Sequence, residues 1–185
     1  QEVPEKLPFM ATSCCPAWSM MAKKLFPEQA DCISMALTPM TLTARLIKRH
    51  HKNAKVVFIG PCAAKKLEAM RTDIRSDVDF VLTFEEMDGI FDAKHVEIEK
   101  MEEDPDGVND ASMDGRNFAV SGGVAKSVVD VIHQRFPDRE IKVANAEGLK
   151  DCRKLLTMAK AGKYNGYLLE GMACPGGCVA GAGTM

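Results

Sequence analysis

No apolar run in these 185 residues approaches the roughly 20 needed to span a bilayer, so neither a membrane-crossing helix nor a membrane partner is expected. The opening residues Gln1-Glu2-Val3-Pro4-Glu5-Lys6 lack the apolar region of a secretory signal and carry no initiator methionine. The expectation is a cytoplasmic chain cut from something longer. An excess of one charge is also missing. The 24 Lys and Arg residues stand interspersed with 26 Asp and Glu, for a formal net charge of −2. That balance gives no electrostatic case for nucleic acid. Internal repeats and low-complexity tracts are absent as well, which removes solenoid and fibrous architectures. What is present is an ordinary globular balance, 46% hydrophobic and 27% charged. The length suits one domain, or two small lobes around a shared core.

Seven cysteines are many for this length, and the even count of a secreted disulfide scaffold is missing. Five of them cluster in short Gly- and Pro-containing motifs. Cys32 and Cys152 stand among apolar residues and read as small buried hydrophobes. A reduced, metal-binding protein fits this usage better than a disulfide protein.

Short apolar runs alternate with helical stretches. Lys55-Val56-Val57-Phe58-Ile59 predicts a buried strand, β-branched and aromatic, closed by Gly60-Pro61. Phe80 to Leu82, Phe118 to Val120, Ile141 to Val143 and Tyr167 to Leu169 predict further strands. Helical patterns run from Thr41 to His50, from Phe84 to Phe91 behind a Thr83 N-cap, from Val124 to Phe136, and from Glu147 to Ala161. The acidic stretch Glu97 to Asp114, with Pro105 and Gly107, predicts a solvated loop. Strands alternating with helices predict an α/β fold with a largely parallel sheet. Ligands in such folds gather where strand ends lead into helices. Gly60-Pro61-Cys62, Ser121-Gly122-Gly123 and Gly171-Met172-Ala173-Cys174 all fall at such points.

Three motifs carry the chemistry: Thr12-Ser13-Cys14-Cys15-Pro16-Ala17-Trp18, then Gly60-Pro61-Cys62-Ala63-Ala64-Lys65-Lys66-Leu67-Glu68, then Glu170-Gly171-Met172-Ala173-Cys174-Pro175-Gly176-Gly177-Cys178. Thiolates are the usual ligands of iron–sulfur clusters, and a cubane takes four. Tight Gly/Pro turns bring backbone close to such a group, and their amides can donate to its sulfurs. Zinc is the alternative. Cys174 and Cys178 would make one knuckle of a structural zinc site, but Cys14 and Cys15 are adjacent and Cys62 stands alone. The spacing favours iron–sulfur and leaves zinc open.

In order and content the three segments resemble the signature motifs of the iron-only ([FeFe]) hydrogenase catalytic domain: T-S-C-C-P-x-W, x-P-C-x-x-K-x-x-E and E-x-M-A-C-x-x-G-C-x-x-G. Leu37-Thr38-Pro39, Asp79 to Thr83 and Phe118 to Val124 match intervening stretches, so the resemblance covers nearly the whole chain. It implies an α/β fold of mostly parallel sheets flanked by helices, in two lobes around a cluster-binding cleft. It also implies the H-cluster, a [4Fe–4S] cubane joined through one cysteine sulfur to a two-iron subcluster. Cys15, Cys62, Cys174 and Cys178 match the cubane ligands, with Cys178 as the bridge. Cys14 matches the cysteine that passes protons, a task suited to a thiol whose pKa of roughly 8.5 can be tuned. Lys65 matches the lysine that contacts a cyanide ligand of the two-iron unit; taken alone it reads equally as a solvated lysine at a helix start. Pro39, Pro61, Gly122, Gly123 and Met172 match residues close to the cofactor. The implied activity is reversible oxidation of H2 to protons and electrons. The implied partners are a ferredoxin-type electron carrier or relay domain, and maturation proteins that build the two-iron unit.

Some positions depart from the family pattern. Ala17 stands where glycine is usual, Gly60 where methionine commonly precedes Pro-Cys, and Met40 where glutamine commonly follows the proline. These mark a divergent branch. The family's upstream part of the catalytic domain and any ferredoxin-like relay domain are missing. Residues 1–185 are therefore expected to be the C-terminal portion of the H-cluster domain, a fragment inactive in isolation. Two other readings compete: a hydrogen-sensing or redox-regulatory relative, and a non-catalytic iron–sulfur or zinc protein. Relatives that serve iron–sulfur assembly lack the complete Cys14-to-Lys65 set, which is present here.

Overall fold

The computed structural model describes residues 3, 5–104, 107 and 110–185. In chain order the described elements are β1 (Met10–Ala11), α1 (Pro16–Leu25), α2 (Pro39–His50), β2 (Val57–Ile59), α3 (Ala64–Ala69), β3 (Phe80–Leu82), α4 (Phe84–Ala93), α5 (Met113–Asn117), α6 (Gly123–Arg135), β4 (Lys142–Glu147), α7 (Leu149–Lys160) and β5 (Tyr167–Met172). The strands form two parallel sheets, ordered β1-β5-β4 and β2-β3. This is the expected α/β architecture of parallel sheets flanked by helices. Among the described residues no helix is long and apolar enough to cross a membrane.

The three-stranded sheet anchors the larger lobe. Strand alternation sends successive side chains of β5 to opposite faces. On one face Gly171 lies flat against the Trp18 ring of α1, where any Cβ would collide with the indole. Trp18 is wholly buried with Leu155 and Leu156 of α7 and Leu169 of β5, and its Nε1 donates to the Thr12 carbonyl at 2.9 Å. On the other face Glu170 meets the N-terminus of α6. Cys32 and Cys152 both belong to this core, the environment expected for small buried hydrophobes.

The smaller lobe packs Phe58 and Val81 of the two-stranded sheet against Met40, Ala44 and Val78. Met40 therefore fills a core instead of facing a ligand cavity. The expected buried strand Lys55–Ile59 is corrected here. Only Val57–Ile59 is strand, and Val57 and Ile59 are 46% and 45% exposed. The sheet is packed on one face only, so alternate residues point outward. Asp79 fastens the lobe by accepting bonds from Lys48 of α2 at 2.7 Å and from the Val56 amide at 2.8 Å. Thr83 caps α4 as expected, in a reciprocal capping box with Glu86.

The expected strand at Phe118–Val120 is also corrected. Its β-branched and aromatic composition is overridden by a tight turn, in which the Val120 amide donates to the Asn117 carbonyl and the Gly123 amide to the Val120 carbonyl. Val120 retains a single antiparallel bridge to Gly177. Within the expected loop from Glu97 to Asp114, Ile98–Lys100 makes one 3-10 turn and Ser112 caps α5. Pro105 lies outside the described residues.

Candidate metal centre

Three strand ends and the loops that follow them converge on one small cavity. Cys14 and Cys15 follow β1, with Cys15 at the N-cap of α1 and Pro16 starting the helix. Cys62 follows β2, Lys65 opens α3, and Cys174 and Cys178 follow β5. The chain after β5 crosses to the smaller lobe, where the Gly183 amide donates to the Pro61 carbonyl at 2.9 Å and its carbonyl accepts from the Phe84 amide at 3.1 Å. Gly181 permits this approach, since a Cβ there would run into the Pro61 carbonyl. The crossing brings Cys62 of one lobe to the cysteines of the other.

The resulting cavity, about 30 Å³, is lined by Cys14, Cys15, Cys62, Cys174 and Cys178. Lys65 and Met172 also line it. Of the other sequence-derived positions, Pro39 lines a neighbouring apolar cavity of about 390 Å³, which Cys14 also borders. Pro61 lines neither cavity; its carbonyl accepts from the Gly183 amide. Gly122 and Gly123 lie on neither cavity wall; the Gly122 amide binds the buried Glu170.

Burial and mutual charge raise three of these thiols, Cys14, Cys174 and Cys178, above the ordinary thiol value. Cys14 is pushed up to about 12, by burial first and then by Cys15 and Glu170, against the pull of the Lys65 cation. Cys178 is pushed up to about 11 by burial and then by Cys15, Cys62 and Cys174. Cys174 is raised for the same reasons. Thiols that oppose one another's ionisation need a cationic centre to ionise together, and metal binding then releases their protons.

Lys65 is not solvated. It is buried, donates to Glu68 at 2.7 Å and to the Cys14 carbonyl at 3.2 Å, and so joins α3 to the first cysteine motif. Glu68 also accepts from Thr38 at 2.6 Å and Thr41 at 3.2 Å. Sequence reasoning assigned no role to Glu68, Glu170 or these threonines. For Glu68 the available signals were its place in the second motif and its i,i+3 spacing from Lys65; Thr38 lay in the matched stretch Leu37-Thr38-Pro39, and Thr41 had none.

The donor set fits an iron–sulfur cluster: soft thiols from several directions, glycines at the close approaches, and the Ala173 amide donating to Cys15 Sγ at 3.5 Å. Among the described residues, no three His, Cys, Asp or Glu side chains gather as a single-ion site would require. A tetrahedral zinc site places each sulfur about 2.3 Å from the ion.

The model of the iron-only hydrogenase large subunit, C-terminal domain, matches residues 1–182. The periplasmic [Fe] hydrogenase large subunit of Nitratidesulfovibrio vulgaris is 29% identical over 93% of this chain and 50% of its own length. Cytosolic iron–sulfur assembly component 3 of Rattus norvegicus is 27% identical over 98% of this chain and 48% of its own length. This chain thus spans about half of either relative. A solved [FeFe]-hydrogenase from Chlamydomonas reinhardtii superposes with a TM-score of 0.70 at 23% identity, over 98% of this chain and 63% of that one. At that identity the likeness is one of fold.

Proposed function

The chain belongs to the family of the iron-only hydrogenase large subunit, C-terminal domain, and from that membership we propose that it forms the part of a hydrogenase that holds an iron–sulfur centre for the reversible oxidation of H2. One observation carries this reading: five cysteines, Lys65 and Met172, drawn from both lobes, line a single cavity. Cys15, Cys62, Cys174 and Cys178 are the proposed cluster ligands, with Cys178 shared with a two-iron unit. When bound, that group supplies the redox chemistry and the binding of H2.

The chain's own residues do the rest. Cys14 borders both the thiol-lined cavity and the larger apolar one, and burial keeps the proton on its Sγ at neutral pH. It is the proposed proton donor and acceptor between the two. Lys65, fixed by Glu68, presents a cation to the cavity and partly offsets the thiolates' charge. The buried walls exclude water, which strengthens both contacts.

The likeness to the cytosolic iron–sulfur assembly component supports a second reading, a centre held without hydrogen chemistry. The test is H/D exchange from H2 in deuterated buffer, with the full-length protein that carries these residues produced alongside hydrogenase maturation proteins. Under the hydrogenase reading the wild type forms HD. Cys14→Ala keeps its iron but loses exchange by about 10²–10⁴-fold, the usual worth of a positioned proton donor. Bound iron with no HD from the wild type selects the second reading.

A further inference from the structure

Glu170 is wholly shielded from solvent, a costly place for a carboxylate unless its charge is answered. Its two oxygens accept hydrogen bonds from the amides of Gly122 and Ala125, each at 2.6 Å. These amides belong to the N-terminus of the 13-residue helix α6, where the helix dipole favours an anion. With both oxygens satisfied by backbone, Glu170 acts through what it holds in place.

The turn at 119–122 is gripped from two sides. Glu170 ties it to β5. From the other side it is tied to the cysteine loop: the Ser121 amide donates to the Gly176 carbonyl at 3.2 Å, the Val179 amide donates to the Ala119 carbonyl at 3.3 Å, and Val120 pairs with Gly177. Gly177, at φ +95°, lies so close that a Cβ would come within 2.5 Å of the Ala119 carbonyl oxygen and 2.6 Å of the Ser121 nitrogen. Cys178 therefore hangs from a segment braced by this turn.

We propose that Glu170 is a positioning residue for the cysteine site, its carboxylate pinning the turn 119–122 and thereby fixing the segment 176–179 that carries Cys178. The proposal rests on the iron–sulfur reading for its redox readout only. Glu170→Gln preserves size but sets an NH2 group against one of the two backbone amides, so one bond is lost. Glu170→Asp keeps the charge on a side chain one methylene shorter.

Hydrogen exchange of the metal-free chain is the primary test. In E170Q, exchange rises about tenfold, the worth of one charge-assisted bond, across both 119–126 and 174–181, while 149–160 stays unchanged. E170D shows the same pattern, and it decides the matter if E170Q does not fold. Faster exchange in 119–126 alone, or in neither segment, overturns the proposal. After reconstitution with iron and sulfide, a displaced Cys178 ligand moves the reduction midpoint in both E170Q and E170D; an unchanged midpoint in both counts against the proposal. Failure of the wild type to take up a cluster sinks the iron–sulfur reading, while the exchange result still decides the role of Glu170.

Discussion

Lys65 and Glu68 are three residues apart on a single turn of α3, and both are buried. Removing one member of such a pair costs more than the pair contributes, because the remaining charge is left without its counterion. Lys65→Met is therefore expected to destabilise the protein by about 3–5 kcal/mol in urea unfolding, and adding Glu68→Gln should recover most of the loss. If the double variant is no more stable than K65M, the buried charge is not the cause. Gly171 makes a second single-residue case. Its flat contact with Trp18 leaves no room for a methyl group, so Gly171→Ala should cost stability at the upper end of the about 1–3 kcal/mol typical of overpacking. A melting temperature equal to the wild type would show that α1 can shift away at little cost. At this scale the motif cysteines were legible because short Gly/Pro turns after apolar runs mark strand ends. Glu170 showed only as the head of the third motif, without a role, because its partners at Gly122 and Ala125 lie 48 and 45 residues away.

The elements are joined by a few polar clasps, and the Asp79 clasp is the clearest. The Lys48 ammonium, then the Val56 amide and Lys55, hold its carboxyl well below the ordinary carboxylate value of 3.8. The folded state thus favours the ionised form. The clasp is at full strength above the unfolded value and is lost as pH falls through it towards the folded one. Asp79→Asn should separate from the wild type in thermal melts at neutral pH, and the two curves should converge below 3.8. A gap that persists in acid would contradict the assignment. The start of α4 was readable because its capping box is local, Thr83 to Glu86. The turn at Phe118–Val120 was misread as strand because its shape is imposed by Asn117, Gly123 and the distant Gly177. The half-exposed β2 was misread as buried because nothing in five residues shows that its sheet stops at two strands.

For the molecule as a whole, neither lobe holds the site alone. The larger lobe supplies Cys14, Cys15, Cys174 and Cys178, while Cys62 and Lys65 come from the smaller one, brought in by the crossing of Gly181 and Gly183 over Pro61. The order of motifs and the α/β class were visible in the sequence; the joining of two sheets at one cavity depends on contacts across more than a hundred residues. The most direct test is anaerobic reconstitution of the chain with iron and sulfide, followed by iron and zinc quantitation and EPR of the reduced sample, for wild type and Cys62→Ala. The account predicts about four irons per wild-type chain with a reduced-cubane signal, both lost in C62A. Stoichiometric zinc without that signal, or a cluster indifferent to Cys62, would contradict it.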